Sequence, residues 1–326
     1  MTTILSPKKI YEHLDKRVVG QEEAKRILSA AGFLHASKTL YWKKTYQEAP
    51  HIRSSNVLLM GPSGCGKTYM VQTMAEYLGM PYLEINARGL SNEGYKGMSI
   101  SDHFEAFHKS YPAKDRSQLL HSVVFLDEFD KICGESGGSA GWNTSLQHSL
   151  LKVLEGGKVD FPNSDGPFSR QNKRNISTAH MLFVIGGNFQ AVRDHIRRPK
   201  TIGFHDAEKP KIDIHEQLIK VGMIQEIAGR ISLMAEVQQL SRKDLKRALT
   251  KAENNIYQQY RLLYQEMFSK QLKLSPYQLD KIVGICMNKK IGARGLQASL
   301  DQYMINMLFE EEIDLDEFLD DFLNRD

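Results

Sequence analysis

The chain is poor in the residues that build covalent or metal-braced scaffolds. Three cysteines, Cys65, Cys133 and Cys286, lie far apart and form no C-x-x-C pair. That argues against a disulfide framework and against a cysteine-based zinc site, and it points to a reducing, cytoplasmic setting. Eleven histidines show no H-E-x-x-H or similar ligand spacing, so no zinc is expected. No uninterrupted apolar run approaches the length of a membrane span. The opening residues, Met1-Thr-Thr-Ile-Leu-Ser-Pro-Lys-Lys9, lack the apolar centre and cleavage site of a signal peptide. Internal repeats and low-complexity tracts are missing too. What remains is an ordinary globular composition, 41% hydrophobic and 25% charged, over 326 residues. That length accommodates two domains, each with its own core.

Charge is unevenly spread. Residues 310–326 carry nine carboxylates against Arg325, a net of −8, so a chain of net +4 holds +12 in its remaining part. A basic body raises the possibility of nucleic acid. Basic residues are not interleaved with aromatics, however, and solvated helix faces are the preferred reading. The acidic end also carries Ile313, Leu315, Phe318, Leu319, Phe322 and Leu323, the pattern of an amphipathic closing helix.

Periodicity organises the rest. Residues 8–40 read as helix, broken at Val18-Val19-Gly20-Gln21 and restarting at Glu22. Apolar strands then alternate with helices at 56–60, 82–86, 121–127 and 180–187, which implies a parallel sheet covered on both faces. Two polar stretches, 133–143 and 156–179, read as long loops. After about residue 239 the pattern becomes helical. Ser241-Arg-Lys-Asp244 predicts a capping box opening a long helix to about Phe268. Ser275-Pro276 opens another, and Gly295 precedes a third with Leu296, Leu300, Met304, Met307 and Leu308 on one side. The expected fold class is α/β, a P-loop domain over 1–239 followed by a small helical domain over 240–326.

The strand Asn56-Val-Leu-Leu-Met60 runs into Gly61-Pro62-Ser63-Gly64-Cys65-Gly66-Lys67-Thr68, followed by Tyr69 and a helical pattern that stops at Gly79 and Pro81. This is the P-loop arrangement for binding ATP and Mg²⁺. The glycines let the backbone wrap an anion, and the helix that follows aims its free amides at it. Lys67 reaches the outer phosphates, and the Thr68 hydroxyl ligates Mg²⁺. Cys65 reads as a small residue that fits the loop. About 60 residues on, Val123-Val-Phe-Leu-Asp127-Glu128 is an apolar strand ending in two carboxylates. Asp127 is expected to hold Mg²⁺ and Glu128 to take a proton from the attacking water. Asn188 ends the strand 181–187 and either senses the γ-phosphate, positions the water, or caps the strand. Arg230 and Arg294 are candidates for reaching a γ-phosphate, with surface ion pairs as the plain alternative.

The order of these segments resembles the ClpX family of AAA+ unfoldases. The matching pieces are Val18-Val-Gly-Gln21, Gly61–Thr68, Gly94-Tyr-Lys-Gly97, Phe125-Leu-Asp-Glu-Phe-Asp-Lys-Ile132, Gln147-His-Ser-Leu-Leu-Lys-Val-Leu-Glu-Gly156, Leu182-Phe-Val-Ile-Gly-Gly187, Gly222-Met-Ile-Gln-Glu-Ile-Ala-Gly-Arg230 and Gly292-Ala-Arg-Gly295. The resemblance implies that Val18 and Val19 border the adenine. It implies that Arg230 is a finger reaching a neighbour's ATP and that Arg294 is the second-domain sensor. It also implies a homo-hexameric ring that pulls unfolded or tagged proteins through a central pore. Tyr95 and Lys96 fall at the pore loop that grips substrate, with Lys96 where the family has an aliphatic residue. Ile202-Gly203-Phe204 matches the tripeptide that docks a ClpP-type peptidase. The sequence begins almost at the ATPase domain, so the family's N-terminal zinc-binding module is not expected. Two competing readings remain: a remodeller that never meets a peptidase, and, less favoured, a motor acting on nucleic acid.

Overall fold

The computed structural model describes residues 5–45, 55–91, 97–134, 140–162, 173–197, 213–288 and 292–309. Its contacts fall into two units. One comprises residues 1–12, 22–62 and 67–237, the other residues 13–21, 63–66 and 238–326.

The first unit is built on a five-stranded parallel sheet. Its strands are β1 (Asn56–Met60), β2 (Tyr82–Asn86), β3 (Val123–Asp127), β6 (Leu182–Gly187) and β7 (Ile231–Glu236). They lie side by side in the order β2-β3-β6-β1-β7. Every residue of β1, β3 and β6 is buried. Continuous apolar runs of this kind belong to strands covered on both faces. The covering helices are α2 (Glu22–Thr45), α3 (Lys67–Leu78), α4 (Ile100–Lys109), α5 (Ala140–Leu154) and α6 (Gln190–Arg197), with α7 (Ile214–Lys220) and α8 (Gln225–Ala228) before β7. Helix α1 (Pro7–Arg17) precedes α2, and the break between them is Val18–Gln21, where Gly20 and Gln21 both take positive φ. Ser99 opens α4 with a reciprocal capping box to Asp102.

The second unit packs α9 (Arg242–Thr250), α10 (Ile256–Phe268), α11 (Pro276–Asn288) and α12 (Arg294–Phe309) around Leu245, Leu249, Tyr264, Ile282, Val283, Leu296 and Leu300. Ser241 and Asp244 form the capping box that the sequence predicts.

Three expectations need correction. The stretch 156–179 is not one long loop. It contains β4 (Lys158–Pro162) and β5 (Lys173–Ser177), an antiparallel pair whose Val159, Phe161 and Ile176 enter the main core. The polar stretch 133–143 is shorter than it reads, because α5 already begins at Ala140. The helix expected to run from 241 to 268 is two helices. Asn254 takes φ +56°, and the Asn255 side chain accepts from the Gln258 amide to start α10 afresh.

Candidate functional site

The sheet places its chemistry along the carboxyl edge of the strands, where open α/β sheets bind ligands. The segment Gly61–Thr68 leaves β1 there and enters α3. Gly64 takes φ +73° and Gly66 φ +97°, conformations that L side chains resist, and a Cβ on Gly66 would meet nothing within 4 Å. The loop exits between its neighbours with no room to spare. Gly61 N–H donates to the Gly187 carbonyl at 2.9 Å, and a Cβ on Gly61 would lie 2.4 Å from the Val237 oxygen. Lys67 is buried, and its Nζ donates to the Gly61 and Pro62 carbonyls at 2.7 and 2.9 Å. Those bonds hold the ammonium against the loop it belongs to. Ser63 is exposed, Cys65 is buried, and Tyr69 is exposed on α3.

The register of the sheet brings the acidic pair alongside. Leu126 pairs with Ile185, and Met60 with Gly187, so Asp127, Asn188 and Gly61 stand at the same edge. Thr68 Oγ1 lies 3.4 Å from Asp127 Oδ2. The other carboxylate oxygen, Oδ1, accepts from the Glu128 amide at 2.8 Å. Glu128 itself is left-handed, φ +55° and ψ +32°. A non-glycine residue in that region costs about 1 kcal/mol or more and concentrates at functional sites. Here it turns the chain sharply as the strand ends. Asn188 is tied down twice, its amide donating to Asp130 Oδ1 at 3.0 Å and its side-chain oxygen accepting from Arg193 Nη1 at 2.9 Å.

The Thr68 hydroxyl and the Asp127 carboxylate, at the end of a glycine-rich loop, are hard oxygen donors of the kind Mg²⁺ takes beside a phosphate. The residues therefore fit a magnesium nucleotide. Among the described residues no cluster of three His, Cys, Asp or Glu side chains stands ready to hold a metal alone. Magnesium sites normally need substrate phosphates to complete them.

Arg230 lies elsewhere in the first unit. Arg230 precedes β7, and Ile231 pairs with Asn56, the first residue of β1. Arg230 is thus at the amino edge of the sheet, across the length of β1 from Gly61, roughly 15 Å at 3.3 Å per residue. It lines a cavity of about 190 Å³ with Asn56, Phe183, Thr178 and Glu155, and its Nη2 contacts Glu155 Oε1 at 2.5 Å. Arg294 is exposed at the first turn of α12. Just before it, in the second unit, Ala293 N–H donates to the Gly64 carbonyl at 2.8 Å. Gly292, φ +60°, approaches so closely that a Cβ would lie 2.4 Å from that oxygen. Val18 is buried and Val19 half-buried in the break after α1. Tyr95, Lys96, Ile202, Gly203 and Phe204 lie outside the described residues.

Residues 52–234 match the AAA domain (Cdc48 subfamily) family. Over 319 residues the chain is 31% identical to the ATP-dependent Clp protease ATP-binding subunit ClpX 2 of Wolinella succinogenes, covering 93% of this chain and 77% of the relative. The chain belongs to the ClpX-type AAA+ ATPases. As an AAA+ ATPase of the unfoldase type it binds nucleotide with Mg²⁺. No helix among its described residues is long and apolar enough to cross a membrane.

Several side chains that organise this ATPase are given no role by the sequence. Gln147, 1% exposed, donates from Nε2 to the Ile132 and Gly222 carbonyls and accepts from the Ile224 amide. One amide thereby knits the loop after Glu128 to the segment leading to Arg230. Gln21 does similar work in the second unit. It donates to the Cys65 and Gln238 carbonyls and accepts from the Gln238 amide, bracing the phosphate loop from behind. Arg193 and Glu236 form a third such element, an ion pair at 2.9 Å beside Asn188.

Proposed function

We propose that this ATPase works as a homo-hexameric ring that unfolds and translocates protein substrates in the cytoplasm and hands them to a ClpP-type peptidase. The observation that carries the ring is the position of Arg230. Phosphoryl transfer gains from an arginine at the γ-phosphate. Arg230 lies at the opposite edge of the sheet from its own Gly61–Thr68 loop, so its guanidinium serves the nucleotide of a neighbouring chain.

Within one subunit each residue takes one part of the work. Lys67 and the loop amides bind the β- and γ-phosphates, and Val18 and Val19 border the adenine. Thr68 and Asp127 hold Mg²⁺, which when bound neutralises phosphate charge. Glu128, set beside them by its left-handed turn, accepts the proton of the attacking water. Asn188 faces the γ-phosphate. Arg294, one residue beyond the Ala293 bond to Gly64, reads the nucleotide from the second unit. Tyr95 and Lys96 grip the substrate in the pore.

The peptidase assignment rests on Ile202-Gly203-Phe204 together with the likeness to a Clp protease subunit. An apolar pair flanking glycine suits a plug for a hydrophobic pocket, and such anchors are often worth about 2 kcal/mol at a hot spot. Six copies multiply a loss through avidity. The test is ATP-dependent degradation of a stably folded fluorescent reporter, with and without the ClpP from the same source. Wild type is expected to degrade it only with ClpP. Phe204→Ala is expected to lose degradation while keeping basal ATPase and unfolding. A variant that still binds the peptidase like wild type refutes the docking role, and loss of ATPase would place Phe204 in the core.

A further inference from the structure

The phosphate loop leaves the sheet between two strands whose ends are joined by a buried arginine. Arg193, 2% exposed, stands on α6. Its Nη1 donates to Asn188 Oδ1 at 2.9 Å, just past β6, and to Gln190 Oε1 at 3.3 Å. Its Nε donates to Glu236 Oε1 at 2.9 Å, the last residue of β7. Strands β6 and β7 flank β1, so this fork spans the exit of Gly61. Burying a guanidinium is costly unless it is paired and hydrogen-bonded, and Glu236, itself shared with Arg197, supplies the charge. The planar fork can hold a carboxylate and an amide in two fixed directions at once, which a lysine ammonium does not do.

A carboxamide has one acceptor oxygen and two N–H donors. With its oxygen held by Arg193, Asn188 has its donors left for the site. We infer that Arg193 is a positioning residue that fixes the Asn188 carboxamide oxygen-inward, so that the site presents amide N–H donors to the γ-phosphate. The inference rests on the reading of Asn188 as a phosphate-facing residue. It makes Asn188 a reader of the third phosphate, able to donate to its oxygens and unable to take the proton of the attacking water. It also gives the ends of β6 and β7 a shared tie whose geometry sets how well ATP is told from ADP.

The test measures affinity for ADP and for ATPγS, together with kcat for ATP, on the full chain. Asn188→Ala is expected to lower ATPγS affinity and kcat by about ten-fold or more, the effect of losing a hydrogen bond to a charged group, while leaving ADP affinity within about two-fold. Arg193→Met combined with Glu236→Gln removes the fork without stranding a buried carboxylate, and it is expected to reproduce that pattern. Adding Asn188→Ala to this pair is expected to lower neither quantity further. A merely structural role would weaken ADP and ATPγS alike. Asn188→Asp, which turns lone pairs toward the phosphate, is expected to bind ATPγS more weakly than Asn188→Ala, and this comparison decides the matter if the Arg193 pair fails to fold. The inference is overturned if the Arg193 pair keeps wild-type discrimination while Asn188→Ala loses it, or if Asn188→Asp binds ATPγS as well as wild type. If Asn188→Ala itself behaves as wild type while Lys67→Ala abolishes binding, the fault lies in the role given to Asn188, and the ATPase site stands.

Discussion

Acidification should weaken the first unit through a buried histidine. His35, on α2, is 3% exposed, and its Nε2 lies 2.9 Å from the His121 carbonyl oxygen, tying the helix to the residue two before β3. Burial pushes its pKa down from 6.5 to about 4, with the charges of Lys38 and His180 acting the same way and the bond to the His121 carbonyl opposing them. The folded state therefore holds the neutral ring, and the unfolded chain takes up a proton first. Stability from this group is fully present above pH 6.5 and is lost as pH falls toward 4. Each pH unit costs about 1.4 kcal/mol across that window, a total of about 3 kcal/mol. That is a large share of the stability of an ordinary domain, about 5–15 kcal/mol. The measurement is urea denaturation between pH 8 and pH 4 for wild type and His35→Gln, which keeps a donor for the His121 carbonyl but does not titrate in this range. The variant should lose about 3 kcal/mol less than wild type over the window. Parallel pH profiles for the two proteins would refute the reasoning.

Other consequences are as direct. Glu128→Gln should bind ATP with near wild-type affinity and lose hydrolysis by about 100-fold or more, since an amide does not accept the water's proton; turnover within a few-fold of wild type would remove Glu128 from the base role. Mixing Arg230→Ala chains with Glu128→Gln chains should restore activity at interfaces that pair an intact Arg230 with an intact Glu128. No rescue at any ratio, with mixed rings shown to form, would argue against a finger acting between subunits. Gln147→Leu should cost about 3 kcal/mol by leaving the Ile132 and Gly222 carbonyls and the Ile224 amide without their partner, at about 1 kcal/mol each. Calorimetry showing an unchanged unfolding temperature would contradict this.

The central strands of this fold are legible because their signals are local. Val57–Met60, Val123–Leu126 and Leu182–Ile185 are unbroken apolar runs, and the glycines of the phosphate loop follow the first directly. Strand β7 escapes such reading. Ile231-Ser-Leu-Met-Ala-Glu236 is an edge strand of uneven burial, with two polar residues and only the short apolar run Leu233-Met-Ala235. The hairpin β4–β5 is masked by polar residues on its outer face, although Val159 and Phe161 alternate as a half-buried strand should. The break after α9 lies in Lys251-Ala-Glu-Asn-Asn255, a run with good helix formers and neither Gly nor Pro, where the paired asparagines are the only mark. Arg193 is the instructive case at the site. Next to Asp194, His195 and Arg197 it reads as part of a solvated helix face. It is buried because Glu236, 43 residues away, meets it. No window of sequence contains both.

If Arg230 serves a neighbouring chain, as proposed, turnover depends on protein concentration. In a solitary chain Arg230 lies at the amino edge of the sheet, paired with Glu155, while Gly61 leaves at the opposite edge. Turnover would then belong to the contact between chains, and its rate per chain should climb with protein concentration until every chain has neighbours on both sides. Below that concentration such a protein would hold nucleotide without spending it; above it, it would work as an engine. On that reading dilution alone would be the off-switch.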